Sequence, residues 1–138
     1  MGVLLVDDEI ELITALAERL DLRGIPAQWA ASAKEALMLL KDGCFDIAVL
    51  DIKMPVTGGI ELMHQIKAEC PETQFIFLSG HHSEQTYRQV CKNCAGASYL
   101  IKPVDIHSLI DEMDKLRKSR SENGVDSTFS DDCDRQCR

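Results

Sequence analysis

Two kinds of apolar pattern alternate along the first 118 residues of the chain. Continuous apolar runs, as at residues 3–6 and 47–50, end abruptly in aspartate, which is typical of strands buried on both faces. Between such runs, apolar residues recur at three- and four-residue intervals, as at Ile10, Ile13 and Leu20, which is typical of amphipathic helices. The pattern predicts five strands, each followed by a helix. The predicted strands are residues 3–6, 26–30, 46–50, 74–78 and 98–101.

Turn and capping residues mark the limits of the predicted helices. Gly24 ends the first helix and Gly43 ends the second, as glycines that follow helices commonly do. Ser32 and Glu35 have the spacing of a capping box at the start of the second helix. Apolar residues from Ile60 to Ile66 mark the third helix, which ends at Cys70-Pro71. The fourth runs from 83 towards 94, and Asp105 opens the fifth.

The alternation of strands and helices predicts the fold class. Short connections between them favour a parallel sheet covered by helices on both faces. Right-handed crossovers leave few arrangements, of which the flavodoxin-like strand order 2-1-3-4-5 is favoured. We therefore predict an α/β protein, a doubly wound (βα)5 domain over residues 1–118. Residues 119–138 are polar and lack periodicity, which predicts a disordered tail or a truncated linker.

Composition and charge narrow the function classes. The 138 residues suffice for one domain with a substantial core. A net charge of −8 argues against direct nucleic-acid binding. The apolar runs are too short to span a membrane, and Asp7 and Asp8 interrupt the N-terminal run too early for a signal peptide. We expect a cytoplasmic protein.

Three aspartates are predicted to meet at one edge of the sheet. Asp7 and Asp8 follow the first strand and Asp51 follows the third. These strands are neighbours in the favoured order, and parallel sheets gather their chemistry at the carboxyl ends of the strands. Three converging carboxylates repel one another unless a cation is bound, and oxygen ligands favour a hard divalent ion. The sequence thus predicts a site for Mg²⁺ or Mn²⁺.

Polar residues follow two further strands, and the whole set resembles a known family. Asp51 opens the segment Asp51-Ile-Lys-Met-Pro-Val-Thr-Gly-Gly59, Ser79 follows the fourth strand, and Lys102-Pro103 follows the fifth. Together with the first two aspartates, in this order and spacing, they closely resemble the receiver domain of two-component response regulators. The resemblance covers about residues 2–118.

The resemblance implies a role for each residue of the site. Asp51 would accept a phosphoryl group, with Lys102 and Ser79 contacting the phosphoryl oxygens. Asp8, Asp51 and the backbone carbonyl of Lys53 would bind the metal directly, and Asp7 would act mainly through a bound water. The peptide bond between Lys102 and Pro103 is commonly cis in this family. The protein would catalyse only its own phosphorylation and dephosphorylation, and Lys53 and His81 would tune the loss of the phosphoryl group.

The family also implies a switch and partners. Ser79 would move towards the phosphoryl group and Tyr99 would rotate into the space that opens. This change would alter the surface formed by the fourth helix, the fifth strand and the fifth helix. The expected partners are a histidine kinase or phosphotransfer protein and an unknown output partner or domain. The mixed charges of the fifth helix fit a homodimer through that same surface and an ordinary solvated surface equally well.

Other interpretations of the same residues remain open. The six cysteines are expected to be reduced thiols, although Cys91 and Cys94 have the spacing of a zinc half-site that Cys133 and Cys137 would complete. A phosphatase of the haloacid-dehalogenase kind also uses Asp and Mg²⁺, but it requires a second Asp where this chain has Lys53. A third interpretation is a binding module with the same fold that does not turn over phosphate.

Overall fold

The computed structural model describes residues 2–79 and 98–121. Five parallel strands form one sheet in the order β2-β1-β3-β4-β5, which confirms the predicted flavodoxin-like order 2-1-3-4-5. The strands are β1 (Val3–Val6), β2 (Ala27–Ala30), β3 (Ile47–Asp51), β4 (Gln74–Ser79) and β5 (Ser98–Ile101). The helices are α1 (Ile10–Leu22), α2 (Ala33–Leu39), α3 (Gly59–Glu69) and α4 (Ile106–Ser121). A 3₁₀ turn, Leu40–Asp42, continues α2.

The last described helix, α4, corresponds to the predicted fifth helix. The predicted fourth helix, from 83 towards 94, falls within residues 80–97, which are outside the described residues, as are Cys91 and Cys94. Since α4 runs to Ser121, helix covers the start of the predicted tail, and residues 122–138 are not described. No helix within the described ranges is long and apolar enough to cross a bilayer.

Side chains on opposite faces of the sheet form two apolar cores. Along β1, Leu4 and Val6 belong to the core beneath α2 and α3, whereas Val3 and Leu5 belong to the core beneath α1 and α4. Because successive side chains of a strand point to opposite faces, a continuous apolar run supplies both cores. This is why every residue of β1 and β3, and every residue of β4 after the first, is buried, as the sequence pattern predicts.

The observed strands differ from the predicted ones at their ends. Strand β3 continues to Asp51, which pairs with Leu78, and β4 continues to Ser79, which pairs with Ile101. Polar residues at these positions do not end the pairing, because their backbone groups still join the ladder. Strand β2 starts after Pro26, whose carbonyl accepts a hydrogen bond from Val3 at 2.9 Å although its nitrogen has no proton to donate.

The predicted capping box at α2 is confirmed in one of its two hydrogen bonds. The Ser32 hydroxyl accepts a hydrogen bond from the backbone N–H of Glu35 at 3.2 Å. The Glu35 carboxylate, in turn, accepts from the backbone N–H of Ala31 at 3.3 Å, one residue before the predicted donor. The two bonds still hold the end of β2 to the start of α2.

The prediction of reduced thiols is wrong for two of the six cysteines. Cys44 and Cys70 form a disulfide, and their Cα atoms are 5.8 Å apart. Cys44 precedes β3 and Cys70 follows α3, which returns the chain to the start of β4 beside β3. The fold therefore brings together two cysteines separated by 26 positions, at the opposite end of β3 from Asp51.

Reduction of this disulfide is expected to lower the free energy of unfolding by about 3 kcal/mol. The crosslink closes a loop in the unfolded chain, so the oxidised chain has less entropy to lose on folding than the reduced chain. Urea unfolding with and without dithiothreitol measures the difference. Cys44→Ser is the control, because it should match the reduced wild type and should not respond to dithiothreitol. Equal stabilities of oxidised and reduced wild type would contradict the stabilising role of the crosslink.

Gly59, the first residue of α3, packs directly against the end of β3. A Cβ atom at this position would overlap the carbonyl oxygen of Asp51 and would lie 2.9 Å from its carbonyl carbon. At the neighbouring Gly58, a Cβ atom would meet only the carbonyl oxygen of Ile52, at 2.9 Å. Within a helix, alanine is normally more stable than glycine. Here the absence of a side chain allows α3 to start against the strand that carries Asp51.

We therefore predict that Gly59→Ala lowers the free energy of unfolding by about 1–3 kcal/mol, because rigid backbone atoms cannot yield to the added methyl group. Gly58→Ala is the matched control and should cost less, since its Cβ meets a single oxygen. Urea denaturation of both variants provides the comparison. Equal or higher stability of Gly59→Ala would show that α3 can move away from β3 without cost.

Candidate functional site

The carboxyl ends of four adjacent strands carry the polar residues that the sequence singled out. Asp7 directly follows β1, Asp51 ends β3, Ser79 ends β4 and Lys102 directly follows β5. Since β1, β3, β4 and β5 are consecutive neighbours in the sheet, these residues lie along one edge of it. The fold thus brings these four residues to the same edge of the sheet.

Asp51 lies at the centre of the site and is only 4% exposed. One of its carboxylate oxygens, Oδ1, accepts a hydrogen bond from the backbone N–H of Lys53 at 3.3 Å. The other, Oδ2, lies 3.5 Å from the ammonium nitrogen of Lys102. Lys53 is only two residues after Asp51, so the backbone of the loop after β3 orients the Asp51 carboxylate.

The two aspartates after β1 have different surroundings. Asp7 is completely buried, and its Oδ1 accepts a hydrogen bond from the backbone N–H of Glu9 at 2.9 Å, while its Oδ2 lies 2.8 Å from the Lys102 ammonium. Asp8 is exposed to solvent. Each of the three aspartates offers a carboxylate oxygen that is within 4.8 Å of the other two, so Asp7, Asp8 and Asp51 can share a single cation.

Lys102 reaches into the cluster from the end of β5. Its backbone N–H donates to the carbonyl oxygen of Ser79 at 2.7 Å, and the peptide bond to Pro103 is cis, as expected. Its side chain is 13% exposed. Burial lowers the pKa of Lys102, but hydrogen bonds to the carboxylates of Asp7 and Glu9, together with the negative charges of Asp51 and Asp7, hold the pKa above its ordinary value. The ammonium group therefore stays charged at neutral pH.

Asp51 holds its proton more strongly than an ordinary aspartate. Burial and the neighbouring negative charge of Asp7 raise the pKa of Asp51 from 3.8 to about 6. The Lys102 ammonium and the N–H of Lys53 act in the opposite direction without cancelling the rise. The metal-free site therefore contains excess negative charge, and a bound cation would relieve it.

The remaining predicted residues lie beside this cluster. Ser79 is buried at the end of β4, and Tyr99 is partly buried on β5 opposite Phe77, in contact with the core beneath α2 and α3. The Lys53 side chain is exposed. His81 is outside the described residues.

Two features of the site were missed at the sequence level. The carboxylate of Glu9 lies 2.7 Å from the Lys102 ammonium, although the two residues are 93 positions apart. The only sequence signal is that Glu9 extends the acidic pair after β1. In the loop between β3 and α3, Val56 is fully exposed with a φ of 71°, a rare conformation for a β-branched residue.

The raised pKa of Asp51 predicts that the metal-free protein loses stability as pH rises from about 4 to about 7. In this range the folded state retains a proton that the unfolded chain releases, so the free energy of unfolding falls with rising pH. Asp51→Asn cannot release this proton and so avoids the loss. Its free energy of unfolding, relative to that of wild type, should therefore be up to about 3 kcal/mol higher at pH 7 than at pH 4.

Urea titrations in EDTA at both pH values measure this gain. Asp114→Asn, the same substitution on the exposed side of α4, is the control for loss of a carboxylate. A stability difference between Asp51→Asn and wild type that is the same at both pH values would contradict the raised pKa.

Comparison with known proteins places the site in a family. Residues 3–114 match the sequence profile of the family described as response regulator receiver domain. The transcriptional regulatory protein ZraR of Salmonella typhimurium is 30% identical over 127 residues, which cover 91% of this chain and 28% of ZraR. The sensor kinase CckA of Brucella abortus is 33% identical over 109 residues, covering 78% of this chain and 11% of the kinase. This chain thus spans a small part of either relative.

A solved structure agrees with the same assignment. The receiver domain protein (CheY-like) from Methanospirillum hungatei superimposes with a TM-score of 0.77 at 28% identity, covering 87% of this chain and 96% of that one. The strand order and the position of Asp51 at the end of β3 fit this family. The chain belongs to the response regulator receiver domains, the phospho-accepting domains of two-component signalling.

Proposed function

We propose that Asp51 is the residue that accepts the phosphoryl group. The observation that carries this proposal is a nearly buried carboxylate at the end of β3, with a lysine ammonium 3.5 Å away and two further carboxylates beside it. A carboxylate oxygen of Asp51 attacks the phosphorus of a donor, an acyl phosphate forms, and the bond between phosphorus and the donor's leaving group breaks.

The carboxylates of Asp7, Asp8 and Asp51 fit a divalent metal such as Mg²⁺ or Mn²⁺. Their oxygens lie within 4.8 Å of one another, and burial together with the negative charge of Asp7 raises the pKa of Asp51. We assign direct contacts to Asp8, Asp51 and the backbone carbonyl of Lys53, with Asp7 acting mainly through water. When bound, the metal offsets negative charge on the carboxylates and on the incoming phosphoryl oxygens.

Lys102 and Ser79 complete the proposed acceptor site from the ends of β5 and β4. The Lys102 ammonium offers a permanent positive charge to a phosphoryl oxygen, and the Ser79 hydroxyl offers a hydrogen bond to another. The backbone hydrogen bond from Lys102 to Ser79 holds the two strand ends at a fixed separation. The only catalysis that we assign to these residues is the domain's own phosphorylation and dephosphorylation.

The same two strands provide a path from the acceptor to an output surface. We assign Ser79 and Tyr99 as the switch residues: Ser79 moves towards the phosphoryl group and Tyr99 turns inward. The ring of Tyr99 packs against the core beneath α2 and α3, beside Phe77 of the neighbouring strand, and its hydroxyl is buried. The surface that changes would be formed by the predicted fourth helix, β5 and α4.

The proposed partners follow from this role. A histidine kinase or a phosphotransfer protein donates the phosphoryl group in the cytoplasm, and an output partner or domain responds. The similarity to parts of both a transcriptional regulator and a sensor kinase supports a module that works with different outputs. A homodimer through the predicted fourth helix, β5 and α4 would be one such output.

Intact mass after incubation with Mg²⁺ and acetyl phosphate tests the acceptor. We expect one added phosphoryl group in wild type, and none in Asp51→Asn or after removal of the metal with EDTA. Asp42→Asn, the same substitution in the turn after α2, is the control and should be phosphorylated like wild type.

An adduct that persists in Asp51→Asn would assign the phosphoryl group to another residue. If no adduct forms in wild type, binding of beryllofluoride separates rapid hydrolysis from failure to bind. A wild type that also fails to bind beryllofluoride would leave the phosphate-independent binding module as the function.

A further inference from the structure

Glu9 makes the shortest of the three ion pairs that Lys102 forms within the described residues. Its Oε1 lies 2.7 Å from the ammonium nitrogen, compared with 2.8 Å for Asp7 and 3.5 Å for Asp51. Glu9 lies at the start of α1, and its side chain is 62% exposed. The lysine that faces the acceptor is thus held more closely by a surface carboxylate than by the acceptor itself.

The backbone around Glu9 directs its side chain towards Lys102. The Glu9 N–H donates to the buried carboxylate of Asp7 at 2.9 Å, which fixes the turn between β1 and α1. Glu9 occupies the N-cap position of α1, yet its side chain makes no capping hydrogen bond. Short polar side chains such as Ser and Asp are favoured there because they cap the helix. The longer glutamate instead crosses to the residue that follows β5.

This contact must weaken if Lys102 is to approach a phosphoryl group on Asp51. An acyl phosphate adds negatively charged oxygens beyond Oδ1 or Oδ2 of Asp51, and the ammonium has to move towards them. The buried carboxylate of Asp7 can keep its contact during such a movement, because it lies on the Asp51 side of the site. Glu9, at the exposed rim, competes with the phosphoryl group for the same ammonium protons.

We propose that Glu9 is a positioning residue that holds Lys102 at the rim of the unphosphorylated site and is displaced from it when Asp51 is phosphorylated. The inference rests on the proposed role of Asp51 as acceptor. Glu9 thereby sets the balance between the unphosphorylated and phosphorylated states without touching the reacting atoms. Loss of the contact should favour binding of a phosphoryl group or of its mimic.

Two substitutions of Glu9 weaken its ion pair with Lys102 in different ways. Glu9→Gln keeps the length of the side chain and removes the charge, whereas Glu9→Asp keeps the charge and shortens the reach by one methylene group. Aspartate is also a favourable N-cap residue, so α1 should be retained. Glu11→Gln, which removes the same charge from the exposed first turn of α1, is the matched control.

The affinity for beryllofluoride at saturating Mg²⁺, measured by ¹⁹F NMR, tests the proposal. Glu9→Gln and Glu9→Asp should each bind the mimic about two- to five-fold more tightly than wild type, because a partly exposed ion pair is a modest competitor. Glu11→Gln should bind it like wild type. An affinity of Glu9→Asp equal to that of wild type, or weaker binding by Glu9→Gln, would overturn the proposal.

The side-chain nitrogen signal of Lys102, observed in ¹⁵N-lysine-labelled protein, provides a second measurement. Both Glu9 substitutions should shift this signal in the metal-free protein without ligand and should shift it much less when beryllofluoride is bound. Equal shifts in both states would mean that Glu9 is never displaced, and would overturn the proposal.

The outcomes also distinguish this inference from the proposed function. If wild type does not bind beryllofluoride, the role of Asp51 as acceptor fails, and the inference fails with it. If wild type binds the mimic, Asp51→Asn does not, and the Glu9 variants are indistinguishable from wild type, only the inference fails.

Discussion

The imbalance of charge at the carboxyl edge of the sheet is the constraint on which the site depends. Among residues 2–79 and 98–121, one ammonium group, that of Lys102, faces the carboxylates of Asp7, Glu9 and Asp51, with Asp8 close by. Asp7 and Asp51 are buried, and their repulsion is strong because little water screens them. Burial and the negative charge of Asp7 together raise the pKa of Asp51. The proposed metal and phosphoryl chemistry both start from this excess of negative charge.

The fold maintains this arrangement through apolar packing on both faces of the sheet. The strands β1 and β3 are buried at every position, so neither can slide along the other without moving side chains out of both cores. Asp7 and Asp51 therefore keep a fixed separation despite their repulsion. Gly59 adds a second restraint, because the start of α3 lies directly against the backbone of Asp51. Hydrophobic burial thus holds together charges that would otherwise separate.

Local patterns in the sequence predict much of this structure, whereas contacts between distant residues escape them. The buried strands, their order and the convergence of Asp51 with Lys102 follow from apolar runs that each end in a polar residue. The exact ends of β3 and β4 do not, because a buried aspartate or serine can still pair through its backbone. The disulfide of Cys44 and the ion pair of Glu9 with Lys102 join residues far apart in the chain. Neither pairing has a local signal, since each depends on how helices return the chain to the sheet.

The position of Lys102 suggests why one residue can couple the acceptor to the surface of the domain. Its side chain contacts carboxylates that follow β1 and end β3, while its backbone N–H is bonded to the carbonyl oxygen of Ser79 at the end of β4. A movement of the ammonium towards Asp51 would therefore act on the edge formed by β4 and β5. Tyr99 lies on that edge, three residues before the lysine and opposite Phe77. In the proposed switch, the carboxylate that holds Lys102 in the resting state also sets how readily this edge responds, which gives Glu9 an influence beyond its own exposed position.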